Sequence, residues 1–454
     1  MTDTTTTAAR SSRLASIERY FQFEELGTNW RTEILAGLTT FITMAYIVMV
    51  NPGILHKTGM PIVAVTAATC FSAALGSILM GALARYPIAL APGMGLNAYF
   101  TYVVVLKMGI PWQTALGAVF FSGCIFMLLT FGGIRQRLMH SIPQELHAAV
   151  AGGIGLFIAF IGLKNAGIIV SDPATFVTLG NLKHPATAIA LFGLLLIAIL
   201  QAFHIRAAML IGIVGATLTA WMLQLSGVIE HIVELQPITY DFHQMTATVF
   251  KLDLRGALHV GAFEIIFVFL FVDLFDNIGT LVAVSKKAGL IGEDHRIPRL
   301  SRIFIADATS TIAGSLVGTS TVCSYVESSA GVAVGGRSGV TAITTGIMFL
   351  LALFAAPLVG AIPDAATAPA LIIVGGMMLS SISEVDWHNP LISIPAFLTL
   401  VMIPLSYSIA SGLSIGMISY ALLQIFTGRF RKEDWMLYLL AILFLLRFLY
   451  MAKG

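Results

Sequence analysis

The 454-residue sequence predicts an all-α polytopic membrane protein, built as two inverted repeats of seven helical segments. Three observations carry that prediction. Hydrophobic residues make up 57% of the chain against 11% charged, with a mean hydropathy of +0.90. Soluble domains carry about 25% charged residues, so this chain has too few charges to coat a water-facing surface and lipid must serve as much of its solvent. Apolar runs of spanning length recur along the whole sequence. The basic residues, finally, segregate between alternate loops.

Read between polar punctuation, the apolar runs fall near 33–53, 62–84, 87–105, 112–133, 145–164, 185–203 and 207–228. After a polar loop, a second series falls near 261–284, 303–317, 319–335, 339–361, 367–383, 391–406 and 409–427. Backbone polar groups in lipid must be satisfied within a segment, so these runs are expected to be helices. With the N-terminus inside, cytoplasmic segments hold 17 Lys and Arg, among them Arg85, Lys286, Arg299, Arg302 and Arg337. The opposite side holds six: Lys57, Lys107, Lys164, Lys183, Lys251 and Arg255. That asymmetry follows the positive-inside rule. The polar, basic N-terminus has no apolar core before a cleavage site and reads as a cytoplasmic tail. The apolar stretch 435–450, which contains Arg447, is expected to be an interfacial or peripherally packed helix rather than a span.

An odd number of segments per half inverts the second half relative to the first. Thr114-Ala-Leu and Thr341-Ala-Ile open similar runs 227 positions apart, and the same offset carries Asn97 onto Ser324. Inverted repeats place substrate sites near the bilayer midplane. Two corresponding segments look broken. Tyr86 to Phe100 contains Pro87, Pro92, Gly93 and Gly95, which no regular helix holds without cost. Gly318 to Gly331 is rich in Ser and Thr, which cap half-helices. Two half-helices starting in mid-membrane would aim positive ends at one cavity; the competing reading is small residues used for close packing, as in Gly331-Val-Ala-Val-Gly335.

The intramembrane carboxylates are the sharper signal. Asp273 and Asp276 lie three apart on one helical face, Asp307 falls in the next segment and Glu327 in the broken one. A charge at mid-bilayer costs at least about 2.5 kcal/mol, so such groups are expected to face a cavity and to work there. Asn97 is a further polar candidate. Cys70, Cys124 and Cys323 stand alone in apolar runs and read as small packing residues. Gln144-Glu-Leu-His147 lacks the first His of a zinc helix, no phosphate-binding loop is present, and no basic patch with interleaved aromatics points to nucleic acid. Neither an enzyme, a metal site, a cofactor nor ATP-driven chemistry is indicated, leaving an ion gradient as the energy source.

At these residues the chain resembles the AzgA-like purine permease branch of the nucleobase–ascorbate (NCS2) transporter superfamily. The matching stretches are Gly27-Thr-Asn, Ala36-Gly-Leu-Thr-Thr-Phe41, Ala91-Pro-Gly-Met-Gly-Leu-Asn-Ala98, Gly109-Ile-Pro-Trp-Gln113 and Phe271-Val-Asp-Leu-Phe-Asp276. Gly318-Thr-Ser-Thr321, Tyr325-Val-Glu-Ser-Ser-Ala-Gly331, Thr367-Ala-Pro-Ala-Leu371 and Tyr407-Ser-Ile409 continue them in order. Asn277 and Ile278 depart from the pattern, standing where small residues or Thr are common.

The resemblance implies a cytoplasmic tail (1–32), a core domain (33–143 and 261–362), a gate domain (144–228 and 363–427), an extracytoplasmic loop (229–260) and a basic C-terminal segment with an apolar helix (428–454). It implies a homodimeric proton symporter of the cytoplasmic membrane that imports purine nucleobases. Substrate contact falls to Asn97, Asp276 and Glu327, and proton coupling or support to Asp273 and Asp307. A carboxylate can accept two parallel hydrogen bonds from adjacent N–H groups, which favours guanine and hypoxanthine and leaves room for adenine. Tyr99, Phe100 or Phe275 could stack on the ring. An inverted-repeat anion transporter or channel is the alternative, disfavoured by acidic site candidates.

Overall fold

A computed structural model describes residues 15–132, 143–227, 241–259, 262–291, 297–430 and 435–451; the side chains at 259, 262, 263, 276, 447 and 449–451 lie outside the described set. Several inner basic residues of the tally (Arg10, Arg13, Arg135, Arg137, Arg296, Arg431 and Lys432) and residues 229–240 of the expected loop also fall outside it.

In the first half, α1 (Trp30–Met44) and α2 (Ile47–Leu55) form one long rod that turns at Ala45-Tyr46. It is followed by α3 (Ile62–Leu79), β1 (Leu90–Pro92), α4 (Met94–Ala98) and α5 (Trp112–Phe131). Then come α6 (Gln144–Asn165), a hairpin of β2 (Ile169–Asp172) and β3 (Phe176–Leu179), α7 (Pro185–Ala202) and α8 (Ala208–Leu225). The second half begins with α9 (Ala262–Lys287), α10 (Leu300–Val317), β4 (Val322–Ser324), α11 (Ser328–Ala333) and α12 (Gly339–Ala352). It ends with α13 (Asp364–Met378), α14 (Pro390–Ser406), α15 (Ile409–Phe426) and α16 (Trp435–Met451).

Ten described helices are long and apolar enough to cross a membrane. All fourteen expected segments contain helix, but four fall short of that standard. Two are broken by β1 and β4, α14 has 17 residues with Pro395 and Pro404 inside it, and α10 is diluted by Asp307 and a run of hydroxyl residues. The α16 helix packs on α15, with Phe444 set against Phe267 (5.3 Å) and Phe271 (6.0 Å) of α9.

The inverted repeat is clearest at the two breaks. The strands pair antiparallel, Leu90 opposite Ser324 and Pro92 opposite Val322, so α4 and α11 leave the crossing from opposite ends. Unpaired backbone groups in an apolar interior would cost several kcal/mol, and each half supplies the same remedy. Ser77 of α3 both donates to the Leu90 carbonyl (3.1 Å) and accepts from its N–H (3.0 Å). Thr311 of α10 does the same for Val322, at 3.0 and 3.2 Å. The strands begin at Leu90 and Val322, 232 positions apart, whereas α5 and α12 begin at Trp112 and Gly339, 227 apart. The repeat offset is therefore larger at the breaks, and Asn97 corresponds to the first turn of α11 rather than to Ser324.

Packing divides the helices into two groups. The rods α1–α3, α5, α9, α10 and α12 pack chiefly on one another, as do α6–α8 and α13–α15. Close crossings use glycine. A Cβ at Gly155 would lie 2.6 Å from the Gly375 carbonyl oxygen, so α6 and α13 touch backbone to backbone, as small residues allow in membranes. The cluster Gly152-Gly-Ile-Gly155 is thus a packing surface. The seam on Gly331 serves likewise: a side chain there would overlap Thr40 of α1. The buried Glu33 carboxylate ties α1 to the start of α12, accepting from the Arg337 N–H (2.9 Å), the Ser338 N–H (3.1 Å) and the Thr341 hydroxyl (2.5 Å).

Candidate functional site

A cavity of about 1940 Å³ lies between the two helix groups. Its deep wall is made at the strand crossing by Tyr46, Met94, Gly95 and the run Cys323–Glu327. His147 and Ala151 of α6 and Val374 and Met378 of α13 face them. Its mouth is rimmed by Gln144 and Glu145, Lys286, Arg299, Arg302 and Glu384, at the helix ends that the basic-residue tally assigns to the cytoplasm.

The strand crossing positions this wall rigidly. Gly93 donates to the Thr321 carbonyl (2.9 Å), Tyr325 N–H to Ala89 (3.0 Å), and Ala89 N–H to the Ser328 hydroxyl (3.0 Å). The Tyr325 hydroxyl reaches the Pro92 carbonyl at 2.5 Å. Every one of these bonds joins the two repeats. Asn277 of α9 accepts from the Ser324 N–H at 3.2 Å, so the departure from the family pattern at this position holds β4 against α9.

Of the carboxylates expected from sequence, Glu327 lines the cavity. It sits at the start of α11, 9% exposed, and the buried Tyr46 hydroxyl donates to its Oε1 at 2.6 Å. Tyr46 occupies the turn between α1 and α2, so the break in the first rod delivers the donor to the break in the tenth segment. Asn97 is fully buried in α4 off the cavity wall; Ser320 donates to its Oδ1, and its Nδ2 has no partner among the described residues. Asp276 lies in α9, with its side chain outside the described set. Asp273 and Asp307 are buried, in α9 and α10, and neither lines the cavity.

The three aromatics expected to stack are also buried off the wall. Tyr99 stands edge-on to Phe269 at 5.2 Å, Phe100 is tilted to the same ring at 6.4 Å, and Phe275 lies behind His147 with ring centroids 4.9 Å apart. Two further residues of the cavity wall, Tyr46 and His147, do not stand out as site candidates in the sequence. A histidine inside an apolar helix is an intramembrane ionisable group and was the available signal for the second; Tyr46 offered none.

At the opposite end a set of side-chain contacts joins the two helix groups. Lys57, after α2, pairs with Asp364 of α13 at 3.1 Å and lies 5.9 Å from the Tyr102 ring centroid. Asn165 donates to the Tyr102 hydroxyl at 3.1 Å, and Tyr407 stands edge-on to Tyr102 (6.5 Å) and Phe157 (5.2 Å).

Among solved structures, the transmembrane domain of a cyanobacterial bicarbonate transporter, BicA, superposes with a TM-score of 0.59 over 86% of this chain and 97% of that one, at 15% identity. Murine Slc26a9, an anion transporter in the inward-facing state, superposes at 0.61 over 89% of this chain and 69% of that one, at 14% identity. At such identities the likeness is one of fold. Sequence relatives are nearer. The adenine permease AdeP of Escherichia coli K12 is 45% identical over 97% of this chain and 98% of its own. The guanine/hypoxanthine permease PbuG of Bacillus subtilis is 43% identical over 96% and 100%. A family model described as the Permease family matches residues 31–415. With that match across most of the chain, and with the Ala91–Ala98 and Tyr325–Gly331 motifs meeting at the strand crossing, the chain belongs to the Permease family, in the AzgA-like branch of the nucleobase–ascorbate superfamily.

Proposed function

We propose that this multi-pass membrane protein imports purine nucleobases across the cytoplasmic membrane by proton symport, with guanine and hypoxanthine favoured and adenine accommodated. The observation that carries the reading is Glu327, a buried carboxylate oriented by Tyr46 on the wall of a cavity whose sequence relatives are adenine and guanine/hypoxanthine permeases. A purine is flat and neutral and presents adjacent donors on its edge, which a fixed carboxylate can accept. Asp276 and Asn97 are the further candidates for substrate contact, Asn97 standing off the wall beside Ser320, and Asp273 and Asp307, also off the wall, are the candidates for proton exchange. Among the described residues no Lys or Arg lines the deep wall, the cavity's Lys286, Arg299 and Arg302 standing at its mouth, which favours a neutral cargo over an anion.

In this reading 33–143 and 261–362 form the core and 144–228 and 363–427 the gate, as the packing groups support. The cavity mouth faces the cytoplasm and the Lys57–Asp364 end is the closed outer gate. Substrate and proton load from outside, neutralising a carboxylate before the core moves past the gate. The protein acts as a homodimer.

Uptake of radiolabelled hypoxanthine by cells lacking their own purine carriers, in competition with adenine, guanine, uracil and xanthine, tests the cargo. Purines should compete and uracil should not. Uptake insensitive to collapse of the proton gradient would refute symport. Wild-type uptake by both Glu327→Gln and Asp276→Asn would refute the site.

A further inference from the structure

His147 is 6% exposed and lines the cavity from α6, in the helix group opposite the one that carries Glu327. Its Nδ1 lies 3.0 Å from the Pro143 carbonyl oxygen. A carbonyl only accepts, so Nδ1 carries the ring proton, and the neutral imidazole presents Nε2 as a lone-pair acceptor. That Nε2 is buried and has no partner among the described residues. Phe275 packs against the ring, with centroids 4.9 Å apart. A buried acceptor without a donor is costly unless something supplies one. The cavity is the route by which a donor arrives.

We propose that His147 is a specificity-determining contact that accepts the imidazole-edge N–H of the purine. The inference rests on the purine reading above and deepens it. Glu327 and His147 are both acceptors, and they approach the cavity from opposite helix groups. A ligand that bridges them must carry N–H donors on two separate edges. A free purine nucleobase does: its pyrimidine edge carries N1–H or an amino group, and its five-membered ring carries one N–H, on N7 or N9. Substitution at N9 removes the second donor whichever tautomer is considered. Cavity size offers no such discrimination, since about 1940 Å³ is ample for a nucleoside. His147 thereby selects bases over their N9-substituted derivatives. Because the acceptor belongs to one group and the carboxylate to the other, the same ligand also bridges the surfaces that must move past each other.

The test compares hypoxanthine with 9-methylhypoxanthine and with 9-deazahypoxanthine, which keeps an N–H in the five-membered ring, as competitors of labelled hypoxanthine uptake. For the wild type, 9-methylhypoxanthine should compete about tenfold or more weakly than the parent and 9-deazahypoxanthine about as well as the parent. His147→Phe keeps a ring of similar shape without the acceptor. It should weaken hypoxanthine by about tenfold and bring the parent-to-methyl ratio near one, while His147→Gln, which keeps a carbonyl acceptor, should restore part of that ratio. Equal competition by 9-methylhypoxanthine in the wild type overturns the proposal without recourse to any variant, and so does an unchanged ratio in His147→Phe. Wild-type protein that takes up no purine overturns the purine reading and this proposal together, whereas purine uptake with an unchanged ratio in the variant removes only the role of His147.

Discussion

Tyr46→Phe isolates the contact on which the site depends. The phenol is 1% exposed and donates to Glu327 Oε1 at 2.6 Å, so the variant removes one oxygen and leaves the ring packing intact. A hydrogen bond to a charged group contributes about 1.5–3 kcal/mol net. At 1.4 kcal/mol per tenfold change in an equilibrium constant, that corresponds to roughly 10–150-fold. If Tyr46 orients the carboxylate for the ligand, the loss appears in affinity. Purine Kd, measured on purified protein, should rise at least about tenfold, and the KM for uptake should rise with it. Glu327→Gln should also weaken binding, and the double variant should lose little more than the worse single variant, since both changes remove one coupled unit. Unchanged Kd in Tyr46→Phe would refute the argument. Multiplying losses in the double variant would do so too, by showing that the two residues act independently.

Two further outcomes follow from the packing of the helix groups. The Lys57–Asp364 pair is partly exposed, with side chains 24% and 59% accessible, so Asp364→Asn should remove only about 0.2–1 kcal/mol from the end proposed as the closed outer gate. Accessibility of a cysteine introduced at position 165 to an impermeant thiol reagent should rise by up to about fivefold, and an unchanged rate would argue against a gating role. Gly155→Ala places a methyl 2.6 Å from the Gly375 carbonyl oxygen and 2.7 Å from Met378 Cβ, neither of them free to rotate away. Overpacking of this kind costs about 1–3 kcal/mol, which thermal unfolding in detergent should register as a lower midpoint; an unchanged midpoint would mean that the α6–α13 crossing is looser than its geometry implies.

Much of this fold is legible in the sequence because lipid punishes ambiguity. Apolar runs, paired breakers and intramembrane carboxylates are each expensive to misplace, so each marks its position locally. Glu327 was found that way, and it does line the cavity. The strands were not legible. Pro92 and Gly93 announce that a helix stops, but they do not say that the freed backbone will pair with Val322-Cys-Ser324, more than two hundred residues away. The hydroxyls that satisfy the outer strand edges, Ser77 and Thr311, look like ordinary small residues within helices until the strands are in place. The same holds for Tyr46. A tyrosine in an apolar run carries no signal of cost, and its role exists only because a turn at Ala45 aims it at a carboxylate 281 residues on. His147 falls between these cases: its type was conspicuous, but its neighbours Gln144 and Glu145 invited comparison with a metal helix rather than with a cavity wall.

That difference has a consequence for specificity. The residues that sequence exposes most readily are charged, and acidic residues recur along these motifs, so on the proposed reading they would supply only a general purine or proton chemistry. On the proposed reading, the side chains that would decide which edge of a ligand is read are neutral donors and acceptors such as Tyr46 and His147 on the cavity wall, with Asn97 off it. Each is oriented by a contact that crosses between distant segments or helix turns: Glu327 for Tyr46, Ser320 for Asn97, Pro143 and Phe275 for His147. Two chains can therefore share every carboxylate and differ in cargo through a change in one of these supporting partners. Discrimination among purines in this family should thus track the orientation of neutral side chains around Glu327 more closely than the number of acidic groups in the site.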